Sequence, residues 1–230
     1  MIKNVLIVSA ASSLGNEIIK KFINNNYFVF ATFNKKKISN NHKNIKKIKL
    51  DILNPLDHTN FSKNTNSYKF DSIIFLNGII NGKSFYESNL GDSINTFNIN
   101  CIYPFFFLRN IRKSLSLKTK IIFLSSISST QGSYDPYYAA SKSALNMLVK
   151  CLAKDKKFKI KKIISISPSL ISSSKMFFDM SKENRNIHKS KNPLNKLVKK
   201  KDLADFIFTH GAKNNWDHTN GTNIEFHGGI

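Results

Sequence analysis

The alternation of short apolar runs with amphipathic segments is the feature that most restricts how this chain can fold. Runs rich in Ile, Val, Phe and Leu alternate with segments of helical periodicity from one end to the other. Most of these runs are continuously apolar, which is typical of parallel strands covered by helices on both faces. The predicted strands are Val5–Val8, Phe28–Thr32, Ile45–Leu50, Ser72–Leu76, Ile121–Leu124, Lys162–Ser167 and Asn223–Phe226.

Helical spacing of apolar residues predicts the elements that cover these strands. Helices are expected at Asn16–Asn25, Asp92–Ser114 and Pro136–Lys154, and through Val198 to Phe208. The stretch 172–192 is polar and irregular, so we expect a long surface loop or a substrate lid there. No linker or repeat divides the chain, and residues 1–230 are therefore expected to form a single α/β domain. Its predicted architecture is a three-layer, doubly wound parallel sheet of the Rossmann type.

Composition excludes several classes of protein. A chain of 230 residues with 41% hydrophobic and 22% charged residues is not disordered. Its two cysteines, Cys101 and Cys151, show neither a disulfide framework nor metal-ligand spacing, so no metal site is expected. The apolar runs Val5–Val8 and Cys101–Leu108 are too short for a secretory signal or a membrane span, which predicts a cytoplasmic protein without membrane contact.

The net charge of +22 comes from 36 Lys and Arg residues against 14 Asp and Glu residues. Such an excess is typical of nucleic-acid or polyanion binding. However, the basic residues are nearly all Lys, scattered among abundant Asn, Ile and Phe, which an A/T-rich coding bias would also produce. We therefore expect no specific nucleic-acid partner, and a polyanion-binding protein of this fold stays open as an alternative.

Tyr138 and Lys142 are the strongest local signal of chemistry. Their spacing of four places a phenol and an ammonium on one helix face, where the cation favours the phenolate. A tyrosine packed beside a solvated lysine would have the same spacing. The preceding predicted strand ends at Ser125 and Ser126, at the edge where ligands bind in doubly wound sheets, so one hydroxyl there could hydrogen-bond a substrate carbonyl.

In this order, these motifs resemble the short-chain dehydrogenase/reductase family, in its short single-domain branch. The segment from Val8 to Gly15 resembles the nucleotide-binding turn TGxxxGxG, and Asp51 the adenine-contacting Asp. Phe75–Gly78 stands where the family has Asn-Asn-Ala-Gly. Asn98–Asn100 and Pro168–Ser169 resemble the catalytic-Asn segment and the Pro-Gly after the sixth strand.

The resemblance implies four catalytic residues. Tyr138 would exchange a proton with the reacting oxygen, Lys142 would favour the phenolate and hold the ribose hydroxyls, and Ser126 would hydrogen-bond that oxygen. Asn100 would anchor a proton-relay water. Ser126 is preferred to Ser125 because the family's serine is usually the second of such a pair.

The implied cofactor-binding residues surround the first turn and the ends of four strands. They are Ser9, Ser12, Ser13, Leu14, Gly15, Asn34, Asp51, Ile52, Asn77, Gly78, Tyr138, Lys142 and Pro168. Two of the usual glycines are replaced by Ser9 and Ser13, which should weaken cofactor binding without abolishing it. The second strand is followed by Asn34 and three lysines instead of a carboxylate, so NADP is slightly favoured over NAD.

The sequence thus predicts an NAD(P)-dependent oxidoreductase that interconverts a carbonyl and an alcohol on a small molecule. The lysine-rich stretch 172–192 leaves an anionic substrate open, and reduction of a 3-oxoacyl group on an acidic carrier protein is the nearest alternative. A non-catalytic binding protein is the alternative of another class. The resemblance also implies a homodimer or homotetramer formed through the helices that contain Asn100 and Tyr138.

Overall fold

A parallel sheet of seven strands forms the centre of the computed structural model, which describes residues 2–214 and 216–230. The strand order is β3-β2-β1-β4-β5-β6-β7, and every neighbouring pair is parallel. The strands are β1 (Lys3–Val8), β2 (Tyr27–Phe33), β3 (Ile45–Lys49), β4 (Ser72–Phe75), β5 (Lys120–Leu124), β6 (Lys162–Pro168) and β7 (Asn223–Phe226).

Helices lie on both faces of the sheet. They are α1 (Ser13–Asn24), α2 (Pro55–Thr65), α3 (Leu90–Phe97), α4 (Tyr103–Asn110), α5 (Ser128–Gln131), α6 (Pro136–Lys154), α7 (Lys175–Asp179), α8 (Lys182–Ser190) and α9 (Lys200–Ala212). Of the helices in residues 2–214 and 216–230, none combines the length and apolar character needed to cross a membrane.

Alternate residues of each strand enter opposite hydrophobic cores, as expected of a sheet covered on both faces. In β1, Val5 and Ile7 pack with α1 and α9, whereas Leu6 and Val8 pack with α2, α4 and α6. Each layer of helices therefore has its own core. This arrangement confirms the predicted three-layer, doubly wound fold.

The sheet reverses its direction of growth between β1 and β4. Because β2 and β3 extend from one side of β1 and β4 to β7 from the other, the connections after β1 and β4 diverge at the carboxyl edge. Such a crevice is the general ligand site of doubly wound sheets. The fold therefore brings the first turn and the Asn77 segment together.

The predicted strands lie within two residues of the observed ones, and Pro136–Lys154 is a helix with the predicted bounds. Helix α2 was not predicted, although Asn54 caps its first turn and Pro55 begins it. The predicted helix Asp92–Ser114 is observed as an unbroken helical path from Leu90 to Asn110, with a π-helical turn at Asn98–Ile102; a 3-10 turn at Arg112–Ser114 follows it.

The expectation of an irregular stretch at 172–192 was wrong. Two short helices, α7 and α8, occupy most of it, and the hydroxyls of Ser174 and Ser181 cap them by accepting bonds from Phe177 N and Asn184 N. Serine at each N-cap was the local signal for these helices. The segment lies beside the first turn, because Ser13 Oγ donates to Ser173 O over 3.2 Å.

Candidate active site

The turn after β1 bends sharply at Ser9. Its φ of 60° lies in the left-handed region, which costs a residue with a side chain about 1–2 kcal/mol. Thr32, in the neighbouring strand β2, fixes the turn: its hydroxyl accepts a bond from Ser9 N at 3.0 Å and its carbonyl one from Ala10 N at 2.8 Å. A positive φ explains why a glycine suits this position in the family pattern.

Helix α1 starts immediately after the turn and offers free N–H groups. Ser12 is its N-cap, and the Ser12 hydroxyl accepts a bond from Gly15 N at 3.0 Å. The N–H groups of Ser13 and Leu14 have no partner within the helix, and no acidic residue lies in the first turn. Together with the helix dipole, these groups suit a phosphate.

Gly15 is the glycine that the fold requires by contact. A Cβ at this position would lie 2.2 Å from Ala10 O, a backbone atom that cannot give way easily. The retained glycine therefore allows α1 to pack tightly on the turn, while the two replaced positions are occupied by Ser9 and Ser13.

The end of β2 provides the surface expected for the adenosine half of a dinucleotide. Asn34 and Lys35–Lys37 are exposed just beyond Phe33. Asp51 lies shortly after β3. One of its carboxylate oxygens accepts a hydrogen bond from Leu53 N at 3.0 Å, so this oxygen already has a backbone partner. Ile52 next to it is buried.

Asn77 and Gly78, just after β4, connect the turn with Lys142 on α6. Asn77 Nδ2 donates to Ser9 Oγ at 2.8 Å, and Asn77 O accepts a bond from Lys142 Nζ at 3.1 Å. A Cβ on Gly78 would lie 3.3 Å from Lys142 Nζ, so the glycine leaves space for the ammonium.

Lys142 is buried on α6, with 2% of its surface exposed. Its ammonium donates to Asn77 O and, at 2.9 Å, to Leu124 O. Burial lowers the pKa of Lys142 from its ordinary value of 10.5 to about 8, and the nearby Cys101 thiol acts in the opposite direction. The ammonium is therefore held by backbone carbonyls at the carboxyl ends of β4 and β5.

Tyr138 lies one turn before Lys142 and is 8% exposed. Burial raises the pKa of Tyr138, a hydrogen bond from the Ser126 hydroxyl lowers it, and the Asp135 carboxylate raises it. The phenol is therefore protonated at neutral pH. The Ser125 hydroxyl instead donates to Lys142 O at 3.5 Å, so Ser126 is the serine of the pair that contacts the phenol.

Asn100 is fully buried in the π-helical turn. Its Oδ1 accepts a bond from Ile79 N at 2.8 Å, and its Nδ2 donates to Ile79 O and to Ser141 Oγ. Both donor hydrogens of the amide are thus engaged by protein atoms. The side chain thus ties the segment after β4 to α6.

Asp135 is part of the candidate site and was not among the predicted site residues. One of its oxygens caps α6 by accepting from Tyr138 N at 2.9 Å, and the other accepts from Asn81 N and Gly82 N at 3.0 Å each. The aspartate directly before Pro136 was a signal for an N-cap. It fixes the start of α6 against the segment that follows β4.

Pro168 ends β6 and joins two of the loops around the site. Its carbonyl accepts a bond from Ile127 N at 3.1 Å, which ties the loop after β5 to the loop after β6. Ser9, Asn77, Ser126, Tyr138, Lys142 and Pro168 thus all lie at the carboxyl edge of the sheet. Across residues 2–214 and 216–230, no group of three or more His, Cys, Asp or Glu side chains could hold a metal ion.

Comparisons with known proteins agree on one family. A family sequence model described as short chain dehydrogenase matches residues 3–185. A search of curated proteins found no match. The structure of a short chain dehydrogenase family protein from Francisella tularensis subsp. tularensis SCHU S4 has a TM-score of 0.89 at 20% identity, covering 100% of this chain and 98% of that one.

Two further solved structures have the same fold. A short-chain dehydrogenase/reductase from Brucella melitensis, titled a glucose/ribitol dehydrogenase, gives a TM-score of 0.89 at 20% identity and covers 99% of this chain and 96% of its own. The structure of ElxO with NADP bound has a TM-score of 0.86 at 23% identity, and the match covers 100% of this chain and 98% of that one. These likenesses establish the fold over the whole length of the chain.

Proposed function

Since the chain belongs to the short-chain dehydrogenase family, whose members are NAD(P)-dependent oxidoreductases, we propose that it interconverts a carbonyl and an alcohol on a small molecule. The observation that carries this proposal is the buried cluster of Ser126, Tyr138 and Lys142 at the carboxyl edge of the sheet. A nicotinamide cofactor would supply the hydride; the acid and the hydrogen-bond donors come from this chain.

Tyr138 is the proton donor in this proposal. Its raised pKa keeps the phenol protonated at neutral pH, so it can transfer its proton to a carbonyl oxygen that becomes an alcohol. The Ser126 hydroxyl lies beside the phenol and would turn its single hydrogen to the same substrate oxygen. The ammonium of Lys142, one turn along α6, favours the phenolate that remains after the transfer. These features favour the reductive direction at neutral pH.

The cofactor would lie across the crevice between β1 and β4. Its pyrophosphate fits the free N–H groups of Ser13 and Leu14, because they point out of the first turn of α1. Exposed Asn34 and Lys35–Lys37 beyond β2 support NADP over NAD, since a carboxylate at this place would repel the additional phosphate. The solved structure of ElxO, which has the same fold, is described as having NADP bound.

The residues around the crevice favour a neutral, apolar substrate over an anionic one. Phe85, Tyr86, Tyr134 and Phe178 are exposed on the three connecting segments that follow β4, β5 and β6, Phe178 within α7. Of the several lysines on these segments, Lys83 and Lys175 are each paired with an aspartate. Reduction of a 3-oxoacyl group on a carrier protein would use the same residues of this chain. This alternative differs in requiring an acidic protein as the substrate.

Assembly into a homodimer or homotetramer is supported by an apolar face. Ile94 on α3, Ile102 in the π-helical turn and Phe106 on α4 are exposed, as are Met147 and Leu148 on α6. Burying such side chains against a second copy would stabilise the assembly by about 25 cal/mol per Å² of apolar surface. A single monomeric mass in light scattering after size exclusion would contradict this part of the proposal.

The experiment that tests the function is a titration with NADPH and NADH, followed by a screen of neutral and carboxylate-bearing ketones. Micromolar NADPH binding, weaker NADH binding and turnover of neutral ketones are expected. If neither cofactor binds up to millimolar concentration and the protein binds heparin in a salt-dependent manner, the non-catalytic polyanion-binding alternative replaces this proposal.

A further inference from the structure

The side chains of Ser9 and Asn77 form a direct link between the turn after β1 and the end of β4. Asn77 Nδ2 donates to Ser9 Oγ at 2.8 Å, across 68 positions of sequence. Ser9 is the residue with a left-handed φ of 60°, and Asn77 is 5% exposed. The family pattern has a glycine and an alanine at these two places, so neither side chain is demanded by the fold.

Each of these two side chains is unfavourable without the other. A side chain at Ser9 adds the cost of the left-handed conformation. The Asn77 amide is buried, and its Oδ1 has no hydrogen-bond partner within residues 2–214 and 216–230. The bond to Ser9 is therefore the hydrogen bond that anchors this amide. Removing either partner leaves the other in an unfavourable state.

Asn77 also contacts the catalytic cluster through its backbone. Its carbonyl accepts a bond from Lys142 Nζ at 3.1 Å. One residue therefore touches both the turn that precedes the N-terminus of α1 and the ammonium on α6. The route from Ser9 to Lys142 consists of two hydrogen bonds and the covalent bonds of Asn77.

We propose that Asn77 is a positioning residue that holds Ser9 in the left-handed turn and so sets the cofactor-binding N–H groups of α1 relative to Lys142. The inference rests on the proposed function, since the ligand of the turn is the cofactor's pyrophosphate. The hydroxyl of Ser9 and the amide of Asn77 form a compensating pair in place of two smaller residues.

A double-mutant cycle with Ser9→Gly, Asn77→Ala and the two combined tests this inference. Each single change should raise the Kd for NADPH about fivefold, which corresponds to the loss of one neutral hydrogen bond. The double variant should return to within about twofold of the original protein, because the glycine needs no support and no buried amide remains. In each single variant the KM for NADPH should change more than kcat, as expected of a residue that acts through the turn.

Urea unfolding of the protein without cofactor provides a readout independent of catalysis. Ser9→Gly should raise the free energy of unfolding in the Asn77→Ala background, and leave it unchanged or lower it in the original protein. The additional freedom of glycine in the unfolded chain is the same in both backgrounds, so it cancels when the two effects are compared. Asn77→Ser, which also removes the amide, repeats the cycle if Asn77→Ala does not fold.

Asn4→Ala serves as the matched control. It removes a different side-chain hydrogen bond of β1, from Asn4 Nδ2 to Lys69 O at 3.1 Å, which lies far from the turn. The Kd for NADPH should therefore be unchanged. Additive effects of the two changes on both Kd and unfolding would overturn the inference. If the original protein bound neither nicotinamide cofactor, the proposed function would fail, and the unfolding cycle would still decide whether Asn77 supports Ser9.

Discussion

The buried ammonium of Lys142 should make the stability of the protein depend on pH in a specific direction. Its pKa is about 8 in the folded chain against an ordinary 10.5. Between these values the unfolded chain binds more protons than the folded one, so the free energy of unfolding rises as pH increases. Below pH 8 the cost of burying the charge is fully present and amounts to about 3 kcal/mol.

Lys142→Met removes this dependence. It also removes the donor to Asn77 O and Leu124 O, so the absolute stability of the variant is set by two opposing effects. The difference between the two proteins is more informative. From pH 7 to pH 9.5, the free energy of unfolding of the original protein should rise by about 2 kcal/mol relative to the variant.

Urea unfolding followed by circular dichroism at four or five pH values measures this difference. Lys150→Met is the control, because it removes an exposed lysine from the same helix and should give a curve parallel to that of the original protein. If the difference between the original protein and Lys142→Met stays constant within about 0.5 kcal/mol from pH 7 to 9.5, the burial cost assigned to Lys142 is wrong.

Three further predictions concern the residues that shape the site. Gly15→Ala should destabilise the protein by about 1–3 kcal/mol and abolish cofactor binding, since its Cβ would lie 2.2 Å from Ala10 O; unfolding and titration check both effects. Asp135→Ala should cost at least about 2 kcal/mol and lower kcat, because one carboxylate holds Tyr138 N and the segment after β4; an unchanged melting temperature would refute this. Asn34→Asp should shift the ratio of NADPH to NADH affinity about tenfold towards NADH, measured by fluorescence titration.

Local patterns in the sequence were sufficient to predict the sheet and helix α6. Continuous apolar runs indicate buried parallel strands, and Pro136 followed by periodic apolar residues indicates α6. Helix α2 was missed because its apolar face is weak: of its eleven residues, His58, Phe61 and Thr65 are buried. Asn100, in the π-helical turn, bonds to Ile79 and Ser141, and no local pattern in the sequence reveals these contacts.

The same distinction applies within the site. The spacing of Tyr138 and Lys142 is visible in the sequence, and the family pattern favours Ser126 over Ser125. The contact between Ser126 and the phenol depends on the side-chain directions that the fold imposes. The pair of Ser9 and Asn77 lies beyond any local pattern, because the two residues meet through strand pairing between β1 and β4. Ionisation is equally a property of the fold: the lowered pKa of Lys142 results from burial.

The proposed proton transfer from Tyr138 during NADPH-dependent reduction is tested by a comparison of Tyr138→Phe with Tyr137→Phe. Both changes remove one hydroxyl from adjacent positions of the same helix, and Tyr137 is partly exposed where Tyr138 is buried. The account predicts that Tyr138→Phe lowers kcat by at least about 100-fold with an unchanged Kd for NADPH, while Tyr137→Phe stays within a few fold of the original protein. Turnover retained by Tyr138→Phe would contradict the account.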